Sequence, residues 1–540
     1  MNNETLLKQL LISFFKNKNL DLKEDDIVIE RCKEVIHGDY STNSAMKYCK
    51  RVQMNPRDLA NEISKSLASD QIEKIEVAGP GFVNFFMKKD ALKSVVSKII
   101  SEGASYGRLP SKGKKINIEY VSANPTGDLH LGHTRCAAIG DAIANLLEWA
   151  GYDVTREYYV NDCGNQVEHL GHSIRARYHE LFGEPLDLDD DDYHGLDLID
   201  IAKSIKEEFG DKYLIDTQES HDFFIRYGID AELGKIKKDL ADFNVRFDKF
   251  SYESDIRKGN TIENTIKELS PYIYEKDGAK YLKTSAFLDD KDRPIVKSNG
   301  QYTYFMPDIC YHYNKMSRGF DLLIDVLGAD HHGYINRMKS ALMMKGYKAD
   351  SLEVELVQVV KVFKDGQEVK MSKRTGKAIA HRELVAECGV DAVRYLFAER
   401  SQSSHLDFNY NLAKEQSSAN PVFYAQYAHA RCASLLNLGS DIALDEKCSL
   451  LNSEIESSIM KNLADFGSQI EASARERAPY KMALYIHNLA GLVHEYYAST
   501  RIIDRENVTL TGGRLALIKA CEITLSNALS LLGVSAPSKM

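Results

Sequence analysis

The chain has 540 residues, so it should divide into several domains, because single hydrophobic cores stop growing near about 250 to 300 residues. Hydrophobic residues make up 44%, enough for packed cores, yet no apolar run approaches the roughly 20 residues of a membrane span. The formal net charge of −10 shows none of the basic excess that advertises nucleic-acid binding, and nine scattered cysteines without a C-x-x-C pair suggest neither a disulfide framework nor a zinc knuckle. The opening MNNETLLKQLLISFFKNKN is too mixed for a signal peptide, so the expectation is a soluble cytoplasmic protein with reduced thiols.

Residues 1–108 predict an α/β unit: a helix from Thr5 to Phe15, the run GDYSTN from Gly38 to Asn43, a helix near Pro56 to Ser69 and a strand around Val77 to Met87. Within it, AGPGFVNFF (Ala78 to Phe86) reads as a turn feeding an apolar strand. Residues 109–163 hold the most informative stretch. Ile116 to Val121 alternate as a strand does, and Ile139, Ala142, Ile143, Leu146, Leu147 and Ala150 keep the rhythm of an amphipathic helix that Gly151 caps. The loop between them carries Asn124, Pro125, Gly127 and then His130-Leu131-Gly132-His133 where the helix opens. Two imidazoles beside unpaired N–H groups and the positive helix end suit a phosphate, and Gly132, without a β-carbon, lets a flat adenine approach the backbone.

Residues 164–283 read as a long, charged, largely helical insertion, whose acidic patch, Asp187 and Asp189 to Asp192, is expected to be a solvated turn. Cation sites interleave their ligands with glycine and carbonyl-presenting residues, which this run does not. Residues 284–375 resume the fold with the strand Leu322 to Val326 and GADHHGY (Gly328 to Tyr334), the second half of a doubly wound sheet with ligands at the carboxyl ends of its strands. Lys370-Met371-Ser372-Lys373-Arg374, then Thr375, packs three basic residues into five, and Gly366 and Gly376 let such a loop close. Residues 376–416 include Asp391-Ala392-Val393-Arg394-Tyr395. Residues 417–540 predict four helices with short loops, a bundle: Pro421 to Leu438, Ser453 to Ala474, Pro479 to Ile503 and Gly513 to Leu532.

His130-x-Gly132-His133 at a strand-to-helix junction, followed by Lys370 to Arg374, resembles the paired signatures of class I aminoacyl-tRNA synthetases. Further stretches resemble bacterial-type arginyl-tRNA synthetases over nearly the whole chain. They are GDY-x-x-N, AGPGFVNF, the run from Glu119 through Ser122, Asn124, Thr126 and Gly127 to His133, LADFNVRFDKFSYES (Leu240 to Ser254), Tyr304-x-x-x-Asp308, GADHHGY, NPVFYAQYAHAR (Asn420 to Arg431) and the ending LGVSAPSKM. The resemblance implies a multidomain α/β protein. Its Rossmann-type doubly wound parallel-sheet catalytic domain carries the helical insertion and the lysine loop, between an α/β amino-terminal domain that touches the tRNA corner and an all-α anticodon-binding bundle. Residues 376–416 become a stem-contact region.

The implied reaction is ATP-dependent attachment of L-arginine to tRNA(Arg) through an arginyl-adenylate. Mg²⁺ arrives on the nucleotide, no structural zinc is expected, and the protein works as a monomer away from membranes. The implied catalytic set is His130, His133, Lys370 and Lys373. ATP would be bound by Asn124, Thr126, Gly127, His130, Gly132, His133, Met371, Ser372 and Lys373. Glu119, Ser122 and Asn124 would take the substrate's α-amino end.

A guanidinium asks for a planar carboxylate, for which Asp308 is the candidate, with Tyr304 one turn before it and Asp330 as a polar neighbour. Read without the resemblance, Tyr304 is a core aromatic and Asp308 an N-cap. In the bundle, Tyr424, Gln426, Tyr427, His429 and Arg431 are candidates for stacking on anticodon bases and holding phosphate. A cysteine-specific relative would want zinc-ligand cysteines, a glutamate-specific one a cationic pocket, and a small nucleotidyltransferase no carboxy-terminal bundle. An inactive RNA-binding relative would not keep His130, His133, Lys370 and Lys373 intact.

Overall fold

From Lys115 onward the strand–helix alternation builds one parallel sheet of five strands: β1 (Lys115–Tyr120), β2 (Asp153–Val160), β3 (Lys249–Tyr252), β4 (Leu322–Gly328) and β5 (Leu352–Val357). Their spatial order is β5-β4-β1-β2-β3, every neighbouring pair parallel, so the order reverses between β1 and β4. In open sheets of this kind the crevice at that reversal is where ligands sit. The computed structural model describes residues 3–32, 37–69, 71–369 and 380–540.

Helix α1 (Leu131–Trp149) follows β1 and is buried on nearly every face, Arg135 and Asp141 included, although its sequence reads as amphipathic. The reason is that the sheet covers one side and the carboxy-terminal bundle the other. The two terminal nitrogens of Arg135 donate to the main-chain carbonyls of Gln358, Ser401 and Ser404 at 2.8–3.0 Å. The helix ends where expected: Gly151 takes φ +91°, and a β-carbon there would stand 2.1 Å from the Pro110 carbonyl oxygen. Gly151→Ala should therefore destabilise the fold by roughly 1–3 kcal/mol, readable by urea denaturation.

The amino-terminal unit has its own core, including Leu7, Leu11, Phe15, Ile63, Val83 and Phe85, which stops at Met87. Its predicted single strand is a hairpin, Ile72–Ala78 against Phe82–Met87, turned by Gly79, Pro80 and Gly81. The next helix, Lys89–Glu102, buries Val96 and Ile99 in the large core shared by the catalytic sheet and the bundle. The insertion helices Asn165–Glu180, Asp197–Phe209 and Gln218–Asp242 pack around Leu170, Ile174, Tyr178 and Phe224. In the acidic patch Asp187 and Asp189 to Asp191 are solvated as expected, but Asp192 is buried. Its carboxylate accepts from His169 Nδ1 (3.2 Å), His172 Nδ1 (2.6 Å) and the Asp189 N–H (2.8 Å), which pins the loop to the first insertion helix.

Between Pro421 and Leu531 the bundle has five helices where four are predicted, because the Ser453–Ala474 segment breaks at Asp465 into Glu454–Ala464 and Phe466–Arg475. The break lets Phe466 bury its ring against Tyr106 and Trp149, at centroid distances of 5.9 and 6.2 Å; packing outranks local helix propensity here. Arg394, fully buried on the helix Val390–Ala398, joins three parts of the chain. Its guanidinium donates to Asp141 of α1 (2.5 Å) and to the carbonyls of Phe243 (2.8 Å) and Leu532 (2.8 Å). Among the described residues no helix is long and apolar enough to cross a membrane.

Candidate active site

β1 ends in a strained turn. Val121 and Ser122 adopt φ of +69° and +37°, conformations that cost of order 1–3 kcal/mol each in non-glycine residues. The turn lets the Ser122 hydroxyl donate to Glu119 Oε1 (2.9 Å) while its oxygen accepts the Tyr159 N–H (3.0 Å). Asn124, exposed beyond it, donates to Gln166 Oε1 at 2.6 Å, and the Thr126 N–H closes on the Asn124 carbonyl at 2.8 Å.

His130 caps α1 itself. Its Nδ1 accepts the N–H groups of Gly132 (3.1 Å) and His133 (3.3 Å), and its own N–H points to His133 Nδ1 at 3.4 Å. Main-chain donors facing Nδ1 put the proton of each neutral ring on Nε2. The two rings stack at 3.6 Å and 15°. Burial lowers the pKa of His130, and burial together with His130 brings His133 down to about 3. At pH 7 the pair therefore presents two neutral Nε2–H donors and carries no cationic charge of its own. A β-carbon on Gly132 would lie 3.0 Å from His130 Cε1, so this glycine first of all makes room for the capping ring.

Helix α2 (Phe305–Ser317) brings Asp308, His312 and Lys315 down one face by their i, i+4, i+7 spacing. It lies over a row of acids, because Glu157, Glu119 and Asp325 pair side by side on β2, β1 and β4. Each member of the row is matched. Lys315 bridges Glu119 and Asp325, Arg318 donates to Glu157 (2.6 Å), and His312 Nε2 meets Asp325 Oδ2 (2.9 Å). Burial pushes Asp325 upward, but Lys315 and His312 hold its carboxyl well below the ordinary range.

Asp308 is different: among the described residues its carboxylate has no hydrogen-bond or ion-pair partner. Burial, reinforced by Glu253, Glu119 and Asp325 and opposed by His312, raises its pKa to about 7. Around it stand Tyr159 and Tyr311, with ring centroids 4.6 Å apart, and Tyr334, within electrostatic reach of Asp308. Such a pocket is short of one cation.

Glu119, Ser122 and Asp308 thus gather at the reversal of the sheet, next to the loop carrying Asn124, Thr126, Gly127 and the two histidines. Tyr304 is neither a core aromatic nor buried in this pocket: it is 77% exposed at the N-cap of α2. Asp308 lies in the first turn of that helix and caps nothing. Asp330, with an 82% exposed side chain, sits beyond the end of β4 with His331 Nε2 at 3.6 Å. Lys370, Met371, Ser372 and Lys373 lie outside the described residues. The chain that follows them returns to the histidines: Ala380 bridges to His130, and the His381 N–H donates to the Leu129 carbonyl (2.8 Å).

Sequence reasoning missed Tyr159, His312, Lys315, Asp325 and Tyr334. The helical spacing from Asp308 could have flagged His312 and Lys315, and GADHHGY contains Tyr334. Nothing in one sequence reveals that Asp325 stands opposite Glu119.

On the bundle, Gln426 and His429 are buried and tie down the end of the chain, through Ser535 and through the Pro537 carbonyl at 2.9 Å. Tyr424 is half-buried against His494. Tyr427 is exposed, and the Arg431 guanidinium sits 4.4 Å from its ring and 4.5 Å from that of Tyr497.

Three protein families match the chain: the arginyl tRNA synthetase N terminal domain over residues 3–87, the catalytic domain of tRNA synthetases class I (R) over 95–435, and the DALR anticodon binding domain over 425–540. An arginine–tRNA ligase of Listeria monocytogenes is 47% identical over 95% of this chain and 94% of its own length. Arginine–tRNA ligase 2 of Bacillus thuringiensis is 46% identical over the same shares. A Campylobacter jejuni structure assigned as an arginyl-tRNA synthetase superposes with a TM-score of 0.79 at 32% identity, covering 84% of this chain and all of that one. The Thermus thermophilus arginyl-tRNA synthetase, at 21% identity and a TM-score of 0.79 over the full length of both chains, shares the fold. The stacked histidine pair next to the sheet reversal, an acidic pocket wanting a cation and these likenesses converge: the chain belongs to the arginyl-tRNA synthetase family of class I.

Proposed function

We propose that this enzyme joins L-arginine to tRNA(Arg) in two steps, with MgATP entering as a substrate. The arginine carboxylate attacks the α-phosphorus of ATP and pyrophosphate leaves. The ribose 2′-hydroxyl of the terminal tRNA adenosine then attacks the arginyl carbonyl and AMP leaves. No side-chain nucleophile is required; alignment and charge stabilisation carry the chemistry. The Nε2–H groups of His130 and His133 donate to phosphate oxygens beside the α1 amino terminus, while Lys373 and Lys370 supply positive charge, with Met371 and Ser372 lining the same loop. Asn124, Thr126, Gly127 and Gly132 shape the nucleotide side. Glu119, Ser122 and Asn124 receive the α-amino group. Asp308 takes the guanidinium, Tyr304 closes over the pocket mouth and Asp330 is a polar neighbour.

The observation that carries the choice of amino acid is the unpartnered Asp308 carboxylate among three other acids, a site that rejects a neutral side chain by leaving a buried charge unpaired. Charging a tRNA pool with each labelled amino acid in turn tests it; incorporation of any residue other than arginine at a comparable rate would sink the reading.

The Asp308 carboxyl also sets a pH dependence. Its pKa in the folded protein, about 7, lies above the ordinary 3.8, so the empty pocket keeps the proton until pH rises through 7, whereas arginine needs the carboxylate. Arginine affinity should fall about tenfold per pH unit below 7 and level off above it, with proton release on binding at pH 6.5. Calorimetry in buffers of different ionisation enthalpy measures both. A dissociation constant that stays flat from pH 6 to 8 would exclude Asp308 as the acceptor.

On the RNA side, Tyr427, Arg431 and Tyr497 form the surface best suited to stack on a splayed base and hold its phosphate. The amino-terminal unit takes the tRNA corner and residues 376–416 the acceptor side, in a monomer working in the cytoplasm.

A further inference from the structure

Glu157, Glu119 and Asp325 stand at paired register positions on three adjacent strands, so three carboxylates lie abreast in a layer almost closed to water. A row of like charges in such a place protonates or splays unless cations are threaded through it. Arg318 serves the Glu157 end from outside. Only Lys315, among the described residues, reaches the middle: its Nζ pairs with Glu119 Oε2 and lies 3.0 Å from Asp325 Oδ1. The Lys315 side chain is 0% exposed, with the Tyr311 ring 4.5 Å from the ammonium, so it has no route to a substrate. Burial works against its charge, but Asp325, Glu119 and Glu157 outweigh burial and keep it protonated. Glu119 is thereby held at both oxygens, Oε2 by Lys315 and Oε1 by the Ser122 hydroxyl at 2.9 Å.

We propose that Lys315 is a positioning residue for the amino-acid step: it fixes Glu119 in the orientation that receives the substrate's α-amino group, without touching substrate itself. The inference rests on the assignment of Glu119 to the α-amino end.

The test uses the full-length enzyme with saturating tRNA and compares the KM for L-arginine with the inhibition constant of 5-guanidinopentanoate, which is arginine without its α-amino group. Lys315→Met should weaken L-arginine by about tenfold or more while moving the analogue by less than about twofold and leaving the ATP KM unchanged. Equal weakening of both ligands, the mark of general damage to packing, would overturn the proposal, and so would no change in either. Should Lys315→Met not fold, Asp325→Asn keeps the shape and releases one of the two anchors of Lys315. Its arginine-to-analogue ratio should shift the same way by a smaller factor, and an unchanged ratio would overturn the proposal equally. Failure of the underlying assignment looks different: wild-type enzyme would bind the analogue as tightly as L-arginine, and Glu119→Gln would weaken neither.

Discussion

Asp308→Asn should raise the arginine concentration needed for half-maximal charging by about a hundredfold to a thousandfold and leave the ATP requirement unchanged. The carboxylate would form a charge-assisted, bidentate pair with the guanidinium inside a pocket of other acids. Removing one partner of such a pair costs about 2–5 kcal/mol, because the other is left buried and uncompensated. Asparagine has the same shape but one anionic oxygen fewer, so the fold should survive. The free enzyme should even gain. A raised carboxyl pKa means that the stability Asp308 contributes is fully present below its ordinary 3.8 and is lost progressively as pH rises from there through about 7. Wild type and variant should therefore differ least near pH 4, and the variant should melt higher at pH 8 without arginine. Steady-state charging together with thermal melting at the two pH values checks both halves; an unchanged arginine KM would remove Asp308 from recognition.

His130→Asn should slow ATP–pyrophosphate exchange by about a hundredfold to a thousandfold, the usual cost of losing one donor aimed at charge developing in a transition state. Asparagine is a good helix cap, so it can take over the bonds that His130 Nδ1 makes to Gly132 and His133 while removing the outward Nε2–H. His130→Ala loses both and should in addition destabilise α1 by about 1 kcal/mol. Comparing the two variants separates the capping role from the phosphate role. Near-normal exchange in His130→Asn would take the ring out of the chemistry.

Much of this arrangement was legible in the sequence where local periodicity decides it. The strand from Ile116, the loop and the helix ending at Gly151 are written in alternation, a turn holding Pro125 and Gly127, and a 3.6-residue rhythm, and the structure has them there. Local signals failed where distant packing decided the outcome. The bundle segment around Asp465 has unbroken helical character, yet it breaks to seat Phe466 against Trp149. Asp192 belongs to an acidic run that looks solvated, and two histidines about 20 residues earlier bury it. In the pocket, Glu119 and Asp308 stood out because each sits in a recognisable motif. Asp325 did not, since its importance comes from strand register, and Tyr304, a core aromatic when read without the resemblance, is exposed at the start of α2.

Arg394 bears on how such an enzyme can change. One guanidinium serves the signature-bearing helix, the insertion and the last helix of the bundle together, so the anticodon reader is not a cartridge that can be exchanged. A transplanted bundle would have to present a carbonyl where Leu532 does or leave one donor of the buried Arg394 guanidinium without its acceptor. The outward side of the bundle, near Tyr427 and Arg431, is where side chains can vary without unlocking the helix beneath.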